Sequence, residues 1–196
     1  SVSSWLVREF DKPPTLILPT LKAEYKQLPP GKFNLIRRRT SDLFIENAIL
    51  SQDQLRQRMV FALSEIVVVS NQGSLTRNTL AMGHYVDTLS SHAFGNYRDL
   101  LEAVTYSPAM SIWLTYMDNE KGNPETGRVP DENYAREILQ LFSIGLNELN
   151  LDGSLKLDAN GDPIETYTND DIVGLARVFT GMSYDMLRFK QPMRKD

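Results

Sequence analysis

Ser51-Gln-Asp-Gln-Leu-Arg-Gln-Arg-Met-Val-Phe-Ala-Leu-Ser-Glu-Ile-Val-Val-Val69 is the stretch on which the fold turns. Leu55, Met59, Phe61, Ala62, Leu63, Ile66, Val67 and Val69 form a wide apolar stripe. The 3.6-residue period runs unbroken from Leu55 to Ile66, which predicts a helix. Ser51 reads as its N-cap, and Gln54 three residues on completes a capping box. Val67-Val68-Val69 alone would also suit a strand, because β-branched side chains favour extended backbone. The continuous period decides for a buried central helix over 52–69.

The same reading works outward. Upstream, Trp5, Leu6 and Phe10 recur at helical spacing, and Asp11-Lys12-Pro13-Pro14 stops that short helix. Residues 11–34 are rich in Pro and form an irregular wrap, with at most a short helix from Leu21 to Gln27. Leu16, Ile17, Leu18, Leu21 and Leu28 make it too apolar for a free linker, so it is expected to be pinned to the core. Thr40 to Leu50 is helical in pattern. Downstream, Asn71-Gln72-Gly73-Ser74 is a break, and core helices follow over 77–92 and 97–105. Ser107-Pro108, an N-cap with Pro at the first helical position, starts another short helix carrying Met110, Trp113, Leu114 and Met117. Asp118 to Pro130 is a polar, turn-rich loop. Asp131 caps a helix over 131–145 that turns Tyr134, Ala135, Ile138, Leu139, Leu141 and Phe142 to the core, with Gly145 as its stop. Asn160-Gly161 between two short extended runs predicts a β-hairpin near 154–167. Thr168, with Asp171 three residues on, caps a last helix over 169–180. The tail from Leu187 to Asp196 has no period. No internal repeat is expected.

The sum is a mainly α-helical fold, a multi-helix orthogonal bundle of about seven or eight helices with one small β-hairpin. It is expected to be a single helical domain over 1–196 that is a truncated part of a larger one. Trp5, large and apolar near the chain start, fits that expectation. The 196 residues include no Cys, two His, 21 Lys and Arg, and 25 Asp and Glu. Zero Cys excludes disulfides, thiolate zinc sites and a Cys nucleophile. With two His there is little room for a His-based triad or a His-rich metal site. A net charge of −4 argues against a general nucleic-acid binder. No apolar run approaches the roughly 18 residues that span a bilayer. The reading calls for no cofactor and no metal.

The candidate site is polar. Asn133, Arg136, Glu137 and Gln140 stand at i, i+3, i+4 and i+7, which aligns them along one helix face. Glu132 and Arg136 have ion-pair spacing. Three readings stay open: a solvated face, a buried network anchoring the preceding loop, or a ligand site in which a carboxylate beside a guanidinium and an amide works as acid or base. Asp118 and Asn119, with Glu120, are loop companions; folded back onto Glu132 they would make an oxygen-rich Ca²⁺ site. Asp158-Ala-Asn160-Gly161-Asp162 resembles a calcium loop only superficially. Pro163 and Asn169 stand where the EF-hand needs its Gly and Glu. His84 and His92, eight apart, lack zinc-helix spacing. Ser64-Glu65 and Ser91-His92 have no partner pattern for an activated nucleophile. Arg37-Arg38-Arg39 with Lys32 is the densest basic cluster and reads as solvated or paired with acidic helix ends.

Several stretches together resemble a bacterial family known as domain of unknown function 1800. They include Leu55-Arg-Gln-Arg-Met-Val-Phe-Ala-Leu-Ser-Glu-Ile-Val-Val-Val-Ser70 and Phe94-Gly-Asn-Tyr-Arg-Asp-Leu-Leu-Glu-Ala-Val104. Ser107-Pro-Ala-Met110, Glu132-Asn-Tyr-Ala-Arg-Glu-Ile-Leu139 and Tyr167-Thr-Asn-Asp-Asp-Ile172 continue the pattern. The Glu-Asn-Tyr-Ala-Arg-Glu run is the most specific. One departure is Asp131, where related sequences usually carry Asn. The resemblance implies a longer full domain and export from the cytoplasm, to the periplasm or beyond. It supplies no activity. The expectation is an exported helical protein with a scaffold or interaction role and a protein partner. The alternative is an exported hydrolase or polymer-acting enzyme using the polar stripe.

Overall fold

The computed structural model describes residues 1–30 and 32–184. Among them are nine α-helices, eight of seven or more residues, and no strands, so the mainly α fold stands. They are α1 (Val2–Phe10), α2 (Leu18–Gln27), α3 (Arg39–Leu50), α4 (Gln54–Ile66), α5 (Thr79–Ser91), α6 (Tyr97–Thr105), α7 (Pro108–Trp113), α8 (Asn133–Gln140) and α9 (Asn169–Val178). The unstructured tail expected over 187–196 lies outside the described residues.

The helix expected over 52–69 is shorter at both ends. Ser51 closes α3: its backbone N–H and its hydroxyl both donate to the Asn47 carbonyl. The α4 N-cap is Asp53. At the other end Val67 leaves the helical region, and the Tyr85 hydroxyl donates to the Val67 carbonyl. The β-branched triplet therefore runs on outside the helix. The buried face is also rotated from the expected one. Arg56, Gln57, Val60 and Leu63 are buried, whereas Phe61 is 53% and Ile66 43% exposed. The middle of the bundle is α5, which packs against α2, α3, α4, α6 and α7.

The Pro-rich wrap is pinned as expected, by two buried carboxylates. Asp53 accepts from the Thr15 N–H at 2.9 Å and the Thr15 hydroxyl at 2.8 Å. Asp87 on α5 accepts from the N–H groups of Ile17 at 2.7 Å and Leu18 at 2.9 Å. Arg56 donates to the carbonyls of Ser90 and Lys12 and lies over the Phe94 ring. The segment then enters α2, a full turn earlier than expected, because Pro19 occupies its first turn where no N–H is needed. Gly83 lets α2 lie close on α5: a Cβ there would collide with Leu21.

The β-hairpin expected near 154–167 is not seen. Isolated antiparallel bridges join Asn147 to Glu165, Leu149 to Leu155 and Leu157 to Pro163. The hydrogen bonds explain why no strand pair forms. The Glu148 N–H donates to the Ile164 carbonyl, Ile164 to Lys156, and Lys156 back to Glu148. A second set of bonds runs the opposite way round, from Asn150 to Ser154, from Asp158 to Asp162, and from Thr166 to Leu146. Residues eight apart thus play equivalent parts, which contradicts the expected absence of an internal repeat. Leu146–Gly153, Ser154–Gly161 and Asp162–Asn169 are three sides of a closed collar, with Gly153 and Gly161 at positive φ on its corners. Each side shares its bonds between two neighbours, so none pairs along its length.

Candidate functional site

The helix expected over 131–145 is α8, which ends at Gln140. The N–H groups of Leu141 and Phe142 both donate to the Glu137 carbonyl, and those of Ile144 and Gly145 to Leu139. The chain then enters the collar. Leu141, expected in the core, is exposed. The apolar side of α8 rests on an aromatic cluster. Tyr134 stacks on Tyr116 with centroids 4.2 Å apart, and meets Phe179 edge-on at 4.9 Å. The Tyr134 hydroxyl shares a 2.7 Å hydrogen bond with Thr105, and burial pushes its pKa up to about 12. α8 is thereby held on a rigid floor.

The N-cap of α8 is Glu132 rather than the expected Asp131, which stands one residue before it and whose Oδ1 accepts the Asn133 N–H at 2.8 Å. Asp131 Oδ2 accepts from the Thr115 hydroxyl at 2.9 Å, and the Asn133 amide donates to Thr115 Oγ1 at 3.4 Å. Thr115 itself has φ +61°, an uncommon value for a β-branched residue. Asn119 is buried and bonds the Asp131 backbone in both directions, accepting its N–H at 2.9 Å and donating to its carbonyl at 3.3 Å. The loop is thus anchored to the start of α8 through Asn119, Thr115, Asp131 and Asn133. Sequence reasoning missed Thr115, because a threonine at a helix exit carries no polar pattern.

The rest of the stripe is less gathered. Arg136 Nη2 lies 3.2 Å from Glu132 Oε2, a half-exposed i,i+4 pair of modest value. Glu137 Oε2 is buried and accepts no hydrogen bond. Gln140 is half-buried at the end of α8. Asp118, at φ +59°, accepts from the Ser183 hydroxyl. Glu120 turns to an ion pair with Arg128. The oxygens weighed for Ca²⁺ are therefore engaged singly. No group of three or more His, Cys, Asp or Glu is placed to hold a metal among the described residues. His84 is exposed, and His92 Nδ1 lies 2.9 Å from the Thr88 carbonyl. In the basic cluster Arg39 pairs with Glu24 and Glu46, while Arg37 and Arg38 are solvent-facing.

No helix among the described residues is long and apolar enough to cross a membrane. Residues 1–196 match the family described as protein of unknown function (DUF1800), so the chain belongs to that family. Searches of curated proteins and of solved structures gave no match.

Proposed function

We propose that this DUF1800 chain is an exported interaction protein that holds a protein partner against the aliphatic face of residues 141–157. One observation carries the reading. Leu141, Ile144, Leu146, Leu149, Leu151, Leu155 and Leu157 are all exposed. Single exposed apolar residues are ordinary, but such a concentration on one short segment costs solubility unless something covers it. Export is inferred from the family resemblance. The chain has no Cys, so Leu151→Cys provides a unique attachment point for a photo-crosslinker. Illumination in the envelope fraction of the producing bacterium is expected to give one discrete adduct, absent when the label sits at Arg98→Cys. No adduct, or the same adduct from both sites, removes the proposal.

The enzyme reading rests on a different observation, the buried unpartnered oxygen of Glu137. Such a carboxylate is costly to keep without a task. Glu137→Gln with unchanged folding is expected to abolish any hydrolytic activity of the purified chain on envelope polymers. A full-activity variant would leave Glu137 a structural residue.

A further inference from the structure

The loop of residues 121–130 and α9 enclose an open groove of about 610 Å³. Val129, Pro130, Val173 and Ala176 give it an apolar lining. Lys121, Arg128 and Arg177 bring cations to it, and Glu132 is the carboxylate among its lining residues. The charges do not cancel. Glu132 is paired with Arg136, and Arg128 with Glu120. Lys121 and Arg177 have no ion-pair partner among the described residues. A chain of net charge −4 thus sets two cations that have no ion-pair partner among the described residues beside an apolar hollow.

The groove is already built. Asn123 and Arg128 exchange backbone hydrogen bonds of 2.9 and 3.0 Å, and Arg128 Nε donates to the Lys121 carbonyl at 3.1 Å. The Asn123 side chain accepts the Glu125 N–H at 2.9 Å. On the opposite wall, the Thr168–Asp171 capping box fixes the start of α9. Pre-formed apolar hollows of ~300–1,000 Å³ with a few polar groups are typical of small-molecule sites.

We infer that this groove binds an amphipathic monoanion: an aliphatic carboxylate whose tail covers Val129, Pro130, Val173 and Ala176, and whose head meets Lys121 and Arg177. The chemistry selects this class. A bare inorganic anion would leave the apolar lining wet. A cation meets like charge, and an extended polyanion meets Glu132. The inference uses none of residues 141–157, so it stands or falls apart from the partner-binding face.

The test is calorimetric titration of the whole chain with dodecanoate below its micelle concentration. Dodecyl maltoside supplies the same tail without charge, and phosphatidylglycerol vesicles supply an anionic bilayer. Dodecanoate is expected to saturate one site and to bind at least roughly tenfold tighter than the maltoside, with affinity falling as salt is raised. Arg177→Glu is expected to weaken dodecanoate roughly tenfold, and Lys121→Glu, in the loop, repeats the test without altering a helix. Circular dichroism checks that both variants stay folded. Equal binding of the two amphiphiles, no dodecanoate binding, no effect of either charge reversal, or binding to the vesicles alone overturns the assignment.

Discussion

Asp53 and Asp87 grip the same strap, the Pro-rich segment of residues 11–34, yet their carboxyls titrate in opposite senses. Burial alone would lift Asp53, but bonds from Thr15, Ser51 and Gln57 outweigh it and hold the group below its ordinary value. At Asp87 burial wins over the N–H groups of Ile17 and Leu18 and the nearby His84 and Lys22, so the group is raised. The signs follow from linkage. Asp53 contributes stability that is complete above the unfolded carboxyl value of ~4 and is lost as pH falls through its lower folded value. For Asp87 the folded chain holds its proton more tightly, so its contribution grows on acidification and is lost as pH rises through the raised value. Asp53→Asn is expected to cost about 1–3 kcal/mol near neutral pH, with the gap from the parent closing in acid. The gap for Asp87→Asn should widen in acid instead. Denaturant melts of parent and variants across this range check both trends, and parallel trends would contradict the assignment.

Among the elements, helices with plain punctuation are legible from sequence. α6 matches its expected limits because Asn96 caps it, its side chain accepting the Arg98 N–H at 2.8 Å. α9 carries the Thr168–Asp171 box that its spacing advertises. α4 is legible as a helix but not in its orientation. Hydrophobicity points Phe61 inward, whereas the strap needs Arg56 and Gln57 beneath it, and that demand comes from residues some forty positions away. In the candidate site, the Glu132–Arg136 pair is local and could be read, whereas the cap falls on Glu132, one residue beyond the expected Asp131. The Thr115 and Asn119 contacts are tertiary and could not. The collar is hidden for a related reason. Its Asn160-Gly161 corner advertises a hairpin, but the bonds it leads to go round three sides. Gly161, at φ +91°, has open space around it, so only backbone conformation opposes a side chain. Gly161→Ala is expected to cost about 1–3 kcal/mol locally. Hydrogen exchange should quicken at the Glu148, Lys156 and Ile164 amides while those of α5 keep their protection. Uniform loss of protection would tie the collar to the global unfolding unit.

For the whole molecule, the question is how the strap is joined to the bundle. The main core runs through Val60, Leu89, Val104, Met110, Tyr134 and Ile172, which belong to six different helices. Ile17, Leu21 and Leu43 form a separate small cluster on the outer side of α5. Phe44 and Val86 touch both clusters from partly buried positions. The strap therefore rests on a thin apolar seam, two carboxylates and the notch at Gly83. Gly83→Val fills that notch. Leu21 is fully buried and has nowhere to turn, so α2 must lift. Overpacking of this kind costs about 1–3 kcal/mol, and the lost helix entropy of Gly returns less than ~1 kcal/mol. The main core is not entered, so the damage should stay on one side. Limited proteolysis of Gly83→Val is expected to cut first within residues 11–34 and to leave a resistant piece holding α5 to α9. Native-state hydrogen exchange should agree, with fast exchange at the Ile17 and Leu18 amides and parental rates at Leu89 and Val104. If Leu89 and Val104 lose protection in step with Ile17, the seam is no boundary, and strap and bundle unfold as one body.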